Sequence, residues 1–170
     1  LDTTWVFDVA SRQWHERAEL VAGEYQPWRP LTHVHAFGQN LLGDVDGHVY
    51  KLDSANNTYD GDPISRERVS PHNSSPSRAR ARFDHLRLDV TVGEVASGID
   101  PQIEMRFSND GGFTWSNWRL HPLGQIGDYS QSVKWARLGQ ARDRVWHIRC
   151  TADCKASIQG ASIMATESTS

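Results

Sequence analysis

Hydrophobic and polar residues alternate with period two along much of this chain. Leu86, Leu88, Val90 and Val92 share one side of a segment whose other side carries Arg87, Asp89 and Thr91. Ile103, Met105 and Phe107 alternate with Gln102, Glu104 and Arg106, and Trp146, Ile148 and Cys150 with Val145, His147 and Arg149. Such alternation predicts half-buried strands, because successive side chains of a strand point to opposite faces. Residues 5–18 read as a hairpin around Ala10-Ser11-Arg12. Residues 32–53 split into three short strand candidates, with a tight primed turn at Asp46-Gly47. Ser, Asn, Pro and Arg dominate residues 54–82, and no apolar period survives there. Residues 130–146 form the one stretch that invites a helix, and Gly139 in its middle argues against it.

These elements predict an all-β chain. Residues 1–62 form a propeller-blade-like antiparallel region, because a hairpin plus three strands suits four-stranded blades. Residues 63–82 serve as a linker or long loop. Residues 83–170 form an antiparallel sandwich-like domain.

Composition sharpens this picture in a few places. Hydrophobic residues make up 38% of 170 positions, enough for sheets with one wet face each. The net charge of −3 gives no footprint for general nucleic-acid binding. Seven Trp is a high number, and each needs a place for a large ring. No apolar run is long enough for a helical membrane span, and no signal peptide is visible. The chain starts at Leu1, inside a strand-like pattern, and so reads as a piece of a longer or processed protein. Cys150 and Cys154 lack a second cysteine pair, so they read foremost as reduced structural thiols; a local hairpin disulfide and a metal site are the alternatives.

Candidate chemistry centres on residues 108–115, Ser-Asn-Asp-Gly-Gly-Phe-Thr-Trp. Ser108, Asp110, Gly112, Thr114 and Trp115 match the Asp-box pattern, Ser-x-Asp-x-Gly-x-Thr-Trp. A short carboxylate can accept backbone N–H groups of its own turn, and Gly112 can take the positive φ that a tight turn needs. In sialidases and other propeller and sandwich proteins such boxes look structural. A sialidase would bring several copies and an arginine cluster, whereas this chain has one box.

His33 and His35 point the same way on a strand and lie near Asp44, Asp46 and His48, but an EF-hand's ligand spacing is missing. Asp60 and Asp62 fall in a loop with no visible partner. No nucleophile elbow, phosphate loop or zinc-protease motif occurs. No catalytic residue, metal or cofactor is therefore expected. Arg78, Arg80 and Arg82 would share a side if extended, and with Trp28 and Trp118 they are the candidate interaction residues. Asp143, between Arg142 and Arg144, suggests local ion pairing.

Four stretches in order carry a family resemblance: Thr4–Ala18, Leu41–Asp53, Met105–Arg119 and Leu123–Thr151. The most specific runs from Gly124 to Ile148, with Gly127, Tyr129, Trp135, Leu138, Gly139, Ala141, Arg142, Asp143 and Arg144. Together they resemble the C-terminal part of the packaged-DNA stabilisation or tail-hub proteins of short-tailed bacteriophages. The resemblance implies a non-enzymatic virion component, assembled in the host cytoplasm. It implies a homo-oligomeric ring below the portal, bound to other tail proteins (a portal-side adaptor, needle or tailspike), with indirect contact to packaged DNA. A carbohydrate-binding or glycan-processing, sialidase-like domain is the alternative, supported by the Asp-box, Trp28 and Trp118.

Overall fold

The structure is a computed structural model that describes residues 3–75, 77–95, 100–124 and 131–168. All of its regular elements are strands, and no helix occurs among the described residues. None can therefore cross a membrane as an apolar helix. The chain divides into two compact units, residues 1–64 and 65–170.

Among the described residues, the first unit holds eight short strands. These are β1 (Thr4–Asp8), β2 (Gln13–Val21), β3 (Glu24–Pro27), β4 (Thr32–Ala36), β5 (Gln39–Gly43), β6 (Val49–Leu52), β7 (Thr58–Tyr59) and β8 (Asp62–Pro63). They pair only with their chain neighbours, as the antiparallel sheets β1-β2-β3, β4-β5-β6 and β7-β8. The sheets thus have three, three and two strands, where four per blade was the expectation.

Two-residue turns explain the tight pairing. Ala22-Gly23, Phe37-Gly38 and Asp60-Gly61 each place both residues at positive φ, the signature of a primed hairpin turn. Asp46-Gly47 departs from that expectation. Residues 44–48 form a five-residue loop in which Gly47 alone has positive φ, at 85°. The loop closes on Asp44, whose Oδ1 accepts the N–H groups of Asp46 and His48 at 2.9 Å each.

The second unit contains β9 (Arg66–Val69), β10 (Asn73–Ser74), β11 (Ala81–Val95), β12 (Gln102–Ser108), β13 (Arg119–Pro122), β14 (Gln131–Ala136), β15 (Gln140–Ala141), β16 (Asp143–Cys150) and β17 (Cys154–Glu167). One sheet runs β10-β16-β12-β13, with β9 also on β16; the other runs β14-β11-β15, with β17 also on β11. Residues 63–82 are therefore more than a linker. β9 pairs with His147–Cys150 and β10 with Asp143–Arg144, so this polar stretch supplies an edge to the sandwich through its backbone.

The period-two residues fill the core as their parity requires. Leu86, Leu88, Val90 and Val92 of β11 meet Ile103 and Met105 of β12, and Trp146, Ile148 and Cys150 of β16. Leu123, Val133, Trp135 and Leu138 belong to the same cluster, as do Ala81, Phe83, Ala141 and Cys154. Of the stretch that invited a helix, the described residues 131–146 form strands and a bend and no helix. Arg137 (φ 57°) and Gly139 (φ 75°) bend the chain between β14 and β15, and there the backbone bonds β11 through Phe83 N–H to Gly139 O at 2.9 Å.

Candidate functional site

The Asp110 turn grows out of the end of β12. Gly111 and Gly112 follow with φ of 79° and 102°, which glycine adopts without steric cost. The Ser108 hydroxyl donates to Asp110 Oδ1 at 2.6 Å and accepts the Gly112 N–H at 2.8 Å. The Thr114 N–H donates to both carboxylate oxygens, at 2.9 and 3.1 Å, and its hydroxyl donates to Oδ2 at 2.5 Å. Ser116 then closes the bend, its N–H on Phe107 O at 2.9 Å and its Oγ accepting the Phe107 N–H at 3.1 Å.

The bonds from Ser108 first, then Thr114, hold the Asp110 carboxyl at a pKa of about 2. The carboxylate lies exposed on the turn, with its lone pairs directed at its own loop. That arrangement can fix a backbone; it offers no enclosed space for a substrate.

Beside the turn, residues of several elements stack into one face. Arg106 of β12 lies 4.8 Å from the Trp115 ring and 4.3 Å from the Trp118 ring. Arg149 of β16 lies 4.1 Å from the same Trp118 ring. His147 sits edge-on to both rings, at 5.3 and 5.0 Å, and accepts the Arg106 Nε–H at 3.1 Å. Glu67 bonds His147 Nε2 at 2.6 Å, and Glu104 accepts the Arg149 Nε–H at 2.6 Å. Alternating cations and indoles of this kind rigidify a sheet face while leaving it half open. The sequence reading placed Glu104, Arg106, His147 and Arg149 on polar strand faces. It did not anticipate the stack, whose signal was the Trp-x-x-Trp spacing beside two such faces.

The remaining candidates are scattered. Trp28 is half-buried beside Arg17, 4.6 Å from its ring. Arg78, Arg80 and Arg82 do not form one extended face, since Arg78 has φ 52° and Arg82 pairs with Asp84 at 2.9 Å. His33 and His35 both bond the Asn40 Oδ1, at 3.2 and 3.1 Å. Asp44, Asp46 and His48 lie close enough to share an ion, within 4.8 Å. Turn formation accounts for this grouping, because Asp44 Oδ2 already takes the Tyr50 hydroxyl at 2.9 Å and His48 Nδ1 at 3.2 Å. Asp60 occupies a hairpin turn and Asp62 a strand. Gly127 and Tyr129 fall outside the described residues.

Asp143 and its arginine neighbours overturn one expectation. Strand alternation sends Asp143 and Arg144 to opposite faces. Asp143 bonds His72 at 2.5 Å. Arg144 is 1% exposed, with its guanidinium 4.4 Å from the Phe83 ring, 4.1 Å from Phe107 and 5.2 Å from Trp146. It donates to Leu138 O at 2.6 Å and Asn109 Oδ1 at 2.9 Å. Burial, helped by Arg119, lowers its pKa to about 10.

A two-sheet antiparallel sandwich with a clasped turn and a stacked face defines a β-sandwich protein. Residues 65–166, more than half of the chain, match the family model described as Bacteriophage P22 Gp10, beta-sandwich. The chain belongs to that family, which makes it a structural tail protein of a phage virion. No curated protein matches it significantly.

Proposed function

We propose that this chain is a tail-hub or adaptor component that assembles below the portal, as a ring of identical copies, and helps retain packaged DNA. In this reading the sandwich is the rigid frame, and the Asp110 turn with the Trp115–Trp118 face braces it without chemistry. Residues 1–62 are blade-like sheets completed by neighbouring tail proteins, and assembly takes place in the host cytoplasm.

The observation that carries the reading is where apolar surface stays uncovered. Trp5, Val9, Trp14, Leu31, Phe37, Val45 and Val49 of the first unit are all 61–95% exposed, while in the second unit Phe113 is 91% exposed and Val69, Leu120 and Met164 are 55–56% exposed. Large exposed apolar side chains clustered in one region mark surfaces that meet other proteins. β17 adds a second feature. It pairs with β11 alone among the described strands, and from Ala156 to Thr166 it carries no charge and no proline. An edge without such guards is suited to receive another strand.

The test is complementation of a phage lacking this protein. Chains carrying Trp14→Asp and Val49→Asp together should yield heads that fill with DNA and then lose it, at normal chain abundance. DNA-filled infectious particles at the wild-type level would contradict the proposal.

A further inference from the structure

We propose that Arg106, held between the Trp115 and Trp118 rings, is a docking site for a carboxylate side chain on an acidic segment of another protein. The strand registers define the face around it. Arg106 stands opposite His147, and His147 opposite Val69. Glu104 stands opposite both Arg149 and Leu120, and Arg149 opposite Glu67. Alternation turns this set away from Ile103, Met105 and Ile148, which face the core.

Arg106 carries the charge on this face that no carboxylate answers. Glu104 is engaged by Arg149, its Oε2 accepting from both Nε and Nη2 at 2.6 Å. Glu67 is engaged by His147 at 2.6 Å and by the Ser65 hydroxyl at 2.8 Å. Arg106 donates through Nε alone, to His147 Nδ1 at 3.1 Å, and its two terminal nitrogens have no hydrogen-bond partner among the described residues. Those nitrogens reach solvent, since the buried polar atoms left without a partner among the described residues are Arg66 Nε, Asp143 Oδ1 and Trp146 Nε1. The Trp115 and Trp118 rings, at 4.8 and 4.3 Å, hold the guanidinium in place. A guanidinium fixed in this way is a ready-made fork. It matches the two oxygens of a carboxylate and loses little freedom on binding.

Charge and apolar surface select the occupant. Glu67 and Glu104 share the face with Arg106, so a nucleic-acid backbone would bring a row of phosphates against carboxylates, with a single fork to neutralise them. One carboxylate needs only one fork. Val69 on β9 and Leu120 on β13, each 56% exposed, flank the site and suit apolar neighbours of an acidic residue on a protein. An Arg among aromatic rings with apolar flanks is the composition of protein–protein hot spots. The site does not depend on the ring or on DNA retention, and it can fail or hold without them.

The full chain, labelled with nitrogen-15, is titrated with a capped extended peptide that carries one glutamate between two leucines. The Arg106 Nε–H signal and the Trp115 and Trp118 indole N–H signals should shift together and saturate. The peptide with glutamine in place of glutamate should bind more weakly by about tenfold or more, as should the glutamate peptide with Arg106→Lys, which keeps the charge and loses the fork. Amide signals away from the site should stay in place in that variant, showing that it is folded. Arg87→Ala, on the other sheet, should bind like wild type. Absence of these shifts, or equal binding of the two peptides to the wild-type chain, would overturn the proposal. So would a DNA duplex, or self-association of the chain, moving the same signals more strongly than the glutamate peptide does.

Discussion

The two units of this protein share one vocabulary of short antiparallel strands and glycine-containing turns, yet they bury very different amounts of it. In the sandwich, alternate residues of β11, β12, β14 and β16 close a continuous apolar cluster. In residues 3–64 only Glu19 and Leu42 are buried. Beside the Phe7–Trp14 ring contact between β1 and β2, at 5.0 Å, much of what joins the strands of the first unit is polar. Glu19 accepts the Arg29 guanidinium at 2.9 Å, Arg29 reaches the Tyr50 hydroxyl at 3.4 Å, and that hydroxyl donates to Asp44 at 2.9 Å. Hydrogen bonds contribute about 1 kcal/mol each, net of water, so such a chain orders side chains without supplying the burial that stabilises a domain. The lesson is that strand pairing and domain stability are separable: the first unit has the pairing, and the second has both.

That contrast can be broken by mutation. The largest effect is expected in the sandwich core, where Leu88→Ala or Met105→Ala should cost about 2–5 kcal/mol in denaturant unfolding. Phe37→Ala, at 95% exposure in the first unit, should stay within about 0.5 kcal/mol of wild type. Arg144→Ala comes next, at about 1–3 kcal/mol, because it strands Leu138 O and empties an aromatic cage.

Asp110→Ala should lower the thermal midpoint more modestly, and only above acid pH. The folded carboxyl has a lower pKa than the unfolded one, so its contribution is complete above pH about 4 and fades as pH falls toward about 2. A melting series across that window should show a slope in wild type that the variant lacks. Arg87→Ala, which breaks a half-exposed pair with Asp89, should change stability by less than about 1 kcal/mol.

Much of the sandwich was legible before any coordinates. Parity along residues 86–92, 103–107 and 146–150 named its core, and the Ser108–Trp115 pattern named its clasped turn. Arg144 was legible too, since it shares parity with Trp146, Ile148 and Cys150; its charge masked a position that the alternation places inside. β9 and β10 were not legible, because they join β16 through backbone groups and carry little apolar pattern. β17 was missed because bulges break its period: Gln159 is an extra residue between Gly160 and Ile158, which pair with the adjacent Asp89 and Val90. The Trp115–Arg106–Trp118 face required knowing which strands are neighbours, and one sequence does not give that.

Hydrogen exchange of the free chain and of the chain in assembled particles tests the central claim most directly. The account predicts that amides of β11, β12 and β16 are strongly protected in both states. Amides of β1–β6 should exchange far faster in the free chain and become protected only in the particle. Equal protection of the two units in the free chain, unchanged by assembly, would contradict it.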